Sequence, residues 1–188
     1  ERRGDILGLP HGTHAVPDCE SFMNPTRGEG GVMGTLSKAM SLAEQYHAGQ
    51  VDKSGRPYIG HLARVAASVP TGDCEIVAWL HDIVEDTTMT LHHLRALGFS
   101  HAVVTAVGAI THQTDEPRED YIDRVTLNWL ASTVKLADIA DNINPVRIRE
   151  WEEVSGKSKA SYVRGRLADY NRIVEALKQV STEHKEQV

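Results

Sequence analysis

Three stretches of the 188-residue chain gather side chains able to hold a divalent ion or move a proton. The first is His81-Asp82-Ile83-Val84-Glu85-Asp86-Thr87, bordered by Trp79 and Leu80. On a helix His81 and Glu85 stand four apart, as do Asp82 and Asp86, so an imidazole and three carboxylates gather along one side. That much polarity on a mostly apolar helix is costly unless a cation or hydrogen-bond partners compensate. At a helix C-terminus the acids also oppose the dipole, which favours a bound cation. The second stretch, 134–142, sets Asp138 among apolar residues with Asn142 four positions on. The third is His61, directly after Ser54-Gly55-Arg56-Pro57-Tyr58-Ile59-Gly60.

Taken singly, each has a plainer reading: a solvated helix end, a structural hydrogen-bonding aspartate, a histidine at a helix start. A His-Asp pair alone is also what chance supplies in a chain with 10 His. Taken together they propose His61, His81, Asp82 and Asp138 around one divalent ion. Nitrogen and oxygen donors without thiolate suit manganese, iron, zinc or magnesium. Four protein ligands on a five- or six-coordinate ion leave room for water and substrate, as in catalytic sites. Glu85 and Asp86, one turn further on, would orient or deprotonate that water and manage the leaving group.

The elements that must position these groups read as helices. From Thr35 onward apolar residues recur at spacings of three and four, and no convincing period-2 strand appears. Leu36, Ala39, Met40, Ala43 and His47 share a face after a Thr35 cap, and Gly49 stops that helix. Gly55 and Pro57 turn the chain before a second helix from His61, and Pro70-Thr71-Gly72 ends it. Asp73 caps a third through Ile76, Val77, Leu80, Ile83 and Val84. Thr90 and Ser100 cap two short helices, followed by segments around 121–130 and 132–143 and a long one from about 159 to 180. The expectation is one all-α domain of seven or eight helices over 35–180, with a C-terminal tail over 181–188. Residues 1–34 hold seven of the 15 glycines and three of the seven prolines without apolar period, and read as a flexible arm or expression leader.

Composition narrows the function classes. Two cysteines cannot build a disulfide framework or a four-thiolate site, which fits a reducing, cytoplasmic setting. A formal charge of −6 argues against a nucleic-acid polymer as partner, while a small phosphorylated ligand stays compatible if a metal reverses the sign locally. No run approaches the length of a membrane span, and no signal-peptide pattern opens the chain. His92, His93 and His112 read as surface groups. Trp79, Trp129 and Trp151 read as packing groups.

The motifs HAGQVDKSGRPYIGHLARVAA (47–67), WLHDIVEDTTMT (79–90) and VKLADIADNINPVR (134–147) resemble the HD-domain metal-dependent phosphohydrolases. More narrowly, they are similar to the hydrolase domain of the RelA/SpoT alarmone family and its stand-alone small alarmone hydrolases. The resemblance implies an all-helical, manganese-dependent hydrolase releasing the 3′-pyrophosphate of ppGpp or pppGpp. By position, His61, His81, Asp82 and Asp138 match the metal ligands, and Glu85 and Asp86 the catalytic acidic pair. Asn142 matches a ribose-side asparagine, Lys53 and Ser54 the base-pocket loop, and Arg166 and Tyr170 a phosphate-contacting arginine with its neighbouring tyrosine. Asp52 and Arg56 depart from the pattern of that loop, where a cation and an acid are common. A carboxylate cannot cover a base face as a guanidinium does, which keeps the adenine alarmones ppApp and pppApp open as substrates. Alternatives are the 2′-phosphate of NADPH and a non-catalytic, antitoxin-like nucleotide binder. The expected partnerships are a homodimer and a functional pairing with an alarmone synthetase. No synthetase or regulatory segment is expected after the last helix.

Overall fold

A computed structural model describes residues 34–186, with side chains through Gln179. Its regular structure is helical throughout: α1 Leu36–Tyr46, α2 Ile59–Ala67, α3 Asp73–Leu80, α4 Ile83–Asp86, α5 Leu91–Ala96, α6 His101–Ile110, α7 Arg118–Thr126, α8 Trp129–Asn142, α9 Pro145–Ser155 and α10 Ala160–Glu186. The expected all-α class holds. The arm expected over 1–34 lies outside the described residues except for Gly34, and so do the side chains of the expected tail. The backbone of α10 runs through most of that tail, to Glu186.

Several start signals act as the sequence suggests. The side chains of Thr35, Thr90 and Ser100 accept the N–H groups of Lys38, His93 and Val103. Asp73 differs: Gly72 takes the cap position and Asp73 opens the first turn, where its charge suits the dipole. The boundary expected near 130 falls at Asn128, whose side chain caps α8 by accepting from Ala131 N. Two further helical segments raise the count among the described residues to ten. One is α4, split from α3. The other is α9, which has Asn144 as cap, Pro145 in the first turn and left-handed Gly156 (φ 64°) at its end.

Helix α3 is the axis of the domain, packed by α1, α2, α6 and α8. Cys74, Val77, Ala78, Trp79 and Leu80 are all buried, so nearly its whole circumference faces protein. Around it Leu42, Leu62, Ile83, Leu94, Val103, Ile122, Ile139 and Ile173 close one continuous core. Helix α10 lies against α7 and α8, and α9 touches α8 at the edge. No helix among the described residues is long and apolar enough to cross a membrane.

The C-terminal end of α6 is tied down by Arg124. Its Nη1 donates to the carbonyls of Gly108 (2.7 Å) and Ala109 (2.8 Å), and Nη2 to that of Thr111 (2.9 Å). The same guanidinium forks onto Glu116, at 2.9 Å and 2.6 Å. These bonds hold the Glu116 carboxyl down to about 2. A depressed carboxyl contributes stability above its unfolded value and loses it as pH falls through the folded one. Glu116→Gln should therefore lower the urea midpoint at pH 7, and the gap to wild type should close between about pH 4.5 and pH 2. A gap independent of pH would contradict this account.

Candidate active site

The helical run expected through 73–87 breaks in the middle, and the break builds the site. α3 ends at Leu80, His81 and Asp82 form a turn, and α4 starts at Ile83. Trp79 and Leu80 on one side and Ile83 on the other are buried, so both flanks of the turn are pinned. The four polar groups therefore do not line one side of a continuous helix. His81 and Asp82 point to a common centre, whereas Glu85 reaches the rim and accepts from His112 N at 3.0 Å. Glu85 and Asp86 also no longer end a long helix, which removes the expected conflict with its dipole.

At the centre the imidazoles of His61 and His81 meet the carboxylates of Asp82 and Asp138. His61 Nε2 lies 3.2 Å from Asp138 Oδ1 and 3.9 Å from Asp82 Oδ2. His81 Nε2 lies 2.9 Å from Asp82 Oδ2 and 3.8 Å from Asp138 Oδ1. Each imidazole is oriented through its other nitrogen: His81 Nδ1 by Ala78 O (2.8 Å) and His61 Nδ1 by Asp141 Oδ2 (2.6 Å). Both Nε2 atoms therefore turn inward. His81 Nε2 is fully buried without a hydrogen bond of acceptable geometry, despite its proximity to Asp82. Asp82 is held in turn by the Tyr58 hydroxyl, which donates to its Oδ2.

Electrostatics mark the same centre. Burial opposes charge on both imidazoles, yet the carboxylates overcome it and raise His61 and His81 above the ordinary histidine value. Burial likewise opposes charge on Asp138, but Lys135 and the two histidines hold it well below the usual range. Lys135 Nζ sits 2.8 Å from Asp138 Oδ2 and 5.4 Å from the centre of the Tyr121 ring. Asp86 moves the other way: burial, then Asp82 and Glu85, push it up to about 6. Positive charge is what this cluster demands. Ligand atoms bound about 2.1 Å from one ion stand about 3–3.5 Å apart, close to the spacing of these donors. His61, His81 and Asp138 offer three such atoms within 4.8 Å of one another, so the donor set fits a divalent ion of mixed nitrogen and oxygen preference.

A cavity of about 740 Å³ opens over this floor. Glu85 and Asp86 line it, and so do Lys53, Asn142, Arg147 and Arg166. Ser54 lies beside it in a narrow cleft shared with Lys53, Asn142 and Trp151. Tyr170 is not brought there; it packs against the core instead. Asn142 donates to Asp138 Oδ1, and Arg166 stacks on the Tyr162 ring at 5.2 Å. Trp151 is more than packing, because Lys53 and Lys159 lie over its ring at 5.1 Å and 4.1 Å. Asp52 does not face a ligand as a free charge: its side chain is 4 % exposed, accepts from Ser54 N and Arg56 N, and pairs with Arg147.

In architecture the chain is similar to a solved metazoan ortholog of SpoT described as hydrolysing ppGpp. It aligns over 82 % of this chain and 98 % of that one with a TM-score of 0.53 and 19 % identity. The chain has an all-helical fold of the HD type. Two curated relatives extend the likeness to sequence. A GTP pyrophosphokinase of Streptomyces coelicolor is 32 % identical over 171 residues, covering 81 % of this chain and 20 % of that protein. A probable guanosine-3′,5′-bis(diphosphate) 3′-pyrophosphohydrolase of Synechocystis is 36 % identical over 124 residues, covering 57 % and 16 %. The chain thus spans about a fifth or less of the length of these relatives. No family model matches.

The HD-type domain recruits residues that spacing did not single out. Lys135 sits one turn before Asp138, and a buried i, i+3 pair of opposite charge was the available signal. Tyr58, Asp141 and Arg147 carry no such local sign: apart from the Asp141–Arg147 pair itself, they join partners such as Asp82, His61 and Asp52 that lie 24 to 95 positions away. His112 is half-buried against Tyr121, with ring centres 5.0 Å apart, and is not a plain surface group. In metal-free protein Asp138→Ala should cost about 3–5 kcal/mol, because it strands the Lys135 charge in the interior. Asp138→Ala with Lys135→Met should recover most of that loss in urea unfolding with chelator present. Equal stability of the single and double variants would refute the pairing.

Proposed function

We propose that this domain hydrolyses the 3′-pyrophosphate of an alarmone nucleotide, (p)ppGpp, with manganese as the expected ion. The observation that carries the reading is the convergence of two inward Nε2 atoms and two carboxylates beneath a nucleotide-sized cavity lined by both acids and cations. His61, His81, Asp82 and Asp138 would hold the divalent ion, which when bound supplies Lewis acidity and lowers the pKa of water. Lys53, Arg147 and Arg166 offer the cavity its positive charge toward phosphates.

The residues divide the remaining work. Asp86, with its raised affinity for protons, is suited to accept a proton from the attacking water, and Glu85 at the rim to manage protons at the leaving oxygen. Water forms the new bond to phosphorus, the bond to the ribose 3′ oxygen breaks, and that oxygen leaves as a hydroxyl. Asn142, bonded to Asp138, stands where it can contact the ribose. Lys53 and Ser54 mark the loop toward the base. An alarmone synthetase is the kind of enzyme that supplies this substrate.

The orientation of Asp52 bears on the base. Because its carboxylate is engaged by Arg147 and by two backbone N–H groups, it neither repels nor reads a purine edge, and guanine and adenine alarmones are both accommodated by this reading. The deciding experiment incubates the protein and Mn²⁺ with ppGpp, pppGpp, ppApp, pppApp and NADPH, and identifies products by chromatography. Pyrophosphate should appear from at least one alarmone and vanish with chelator or Asp82→Ala. Asp86→Asn should lower kcat about 10²–10⁴-fold. Phosphate from NADPH in place of pyrophosphate would move the activity to a phosphatase, and five intact nucleotides would leave only a binder.

A further inference from the structure

Arg147, in the first turn of α9, joins two carboxylates from different parts of the fold. Its Nη2 lies 3.1 Å from Asp52 Oδ2, in the loop between α1 and α2, and its Nη1 donates to Asp141 Oδ2 on α8. Asp141 Oδ2 also accepts from His61 Nδ1, while Arg64 Nε donates to its Oδ1 at 2.7 Å. At the other end, Asp52 Oδ1 accepts from Ser54 N (2.8 Å) and Arg56 N (3.1 Å). That carboxylate therefore shapes the turn that presents Lys53 and Ser54, with Gly55 at φ 80° completing it. The side chains of Arg147, Asp52 and Asp141 are 14 %, 4 % and 9 % exposed, so water and salt weaken the chain of contacts little.

We infer that Asp52, Arg147 and Asp141 are positioning residues that couple the order of the 50–58 loop to the orientation of His61, and through it to divalent-ion affinity. The inference rests on the ion-binding reading above. A histidine ligand is held in tautomer and ring angle by the partner of its second nitrogen, and here that partner is Asp141. Arg64 shares Asp141 from the helix that bears His61 and so cannot report on the loop. Arg147 alone among the contacts of Asp141 connects it to Asp52. Coupling of this kind is reciprocal: a nucleotide that orders the loop would tighten the ion, and the ion would tighten the nucleotide.

The test reads Mn²⁺ affinity of the full chain without nucleotide, by electron paramagnetic resonance of free Mn²⁺. Asp141→Asn should weaken binding roughly 10–100-fold, as loss of a ligand's orienting partner does. Asp52→Asn keeps an oxygen for the two backbone N–H groups but weakens the Arg147 pairing, and should weaken Mn²⁺ binding about threefold to tenfold although Asp52 touches no proposed ligand. Arg147→Met should match it, and the double variant should be no worse than the weaker single, as expected for one shared path. Arg147→Lys keeps the charge without the forked reach and serves if Arg147→Met lacks a cooperative melt. Arg56→Ala, which breaks only the loop's pairing with Glu150, should bind Mn²⁺ as wild type does. Wild-type affinity in both Asp52→Asn and Arg147→Lys, or equal weakening in Arg56→Ala, overturns the link while the ion site stands. A wild-type protein that takes up no Mn²⁺ overturns the ion site and the link together.

Discussion

Two imidazole nitrogens and two carboxylates face one another where water is largely excluded, and this concentration of lone pairs needs positive charge to persist. Much of the surrounding structure answers that need. Lys135 is buried beside Asp138 although a lone buried ammonium is costly, and the Tyr58 hydroxyl donates a hydrogen bond to Asp82. The outward nitrogens are fixed by Ala78 O and Asp141, which leaves the inward ones for a cation. A single Lys does not balance the cluster, since Asp82, Asp86 and Glu85 add acids on the same side. A divalent ion would supply that charge.

Such a site needs a rigid frame, and α3 provides it by being buried almost all round. A helix that ended in solvent would let His81 and Asp82 relax toward water. Here the core grips both Leu80 and Ile83, so the two-residue turn between them has little freedom to reorient. The functional groups sit at an interruption of regular structure whose flanks are among the best-packed residues of the domain. This division leaves backbone irregularity where the chemistry is and puts rigidity immediately beside it.

The helical frame was largely legible from apolar spacing and caps, because Thr35, Thr90 and Ser100 act within three residues of themselves. The donor set at the centre was legible for a related reason: His81-Asp82 and Asp138 are polar intrusions in apolar segments, and burying them calls for a compensating partner. The break at 81–82 was not legible, since its cause is packing on α3 from four distant helices. Helix α9 carried visible signals in Asn144-Pro145 and Gly156, but its faces bury no residue, so the apolar period that reveals other helices is missing. Asp52 shows the limit of arguing from residue type. A carboxylate in place of a cation suggested an altered base pocket, yet Asp52 lines the cavity with its carboxylate already engaged by Arg147, 95 positions away, and by two backbone N–H groups.

That exchange also bears on how an acidic chain would accept the proposed anionic nucleotide. The formal charge of −6 describes the whole molecule, whereas the cavity is lined by both signs: Asp82, Asp86, Glu85 and Asp138, and with them Lys53, Lys135, Arg147 and Arg166. The Arg147 guanidinium is partly neutralised by Asp52 and Asp141, so its field toward a phosphate is weaker than that of Lys53, whose contacts are the Tyr162 hydroxyl and aromatic faces. On the proposed reading, attraction for the 5′ phosphates would fall more to Lys53 than to Arg147. On the proposed reading the carboxylates around the ion site would repel a diphosphate less once a cation is bound, so ion and nucleotide would favour each other, as reciprocal coupling requires.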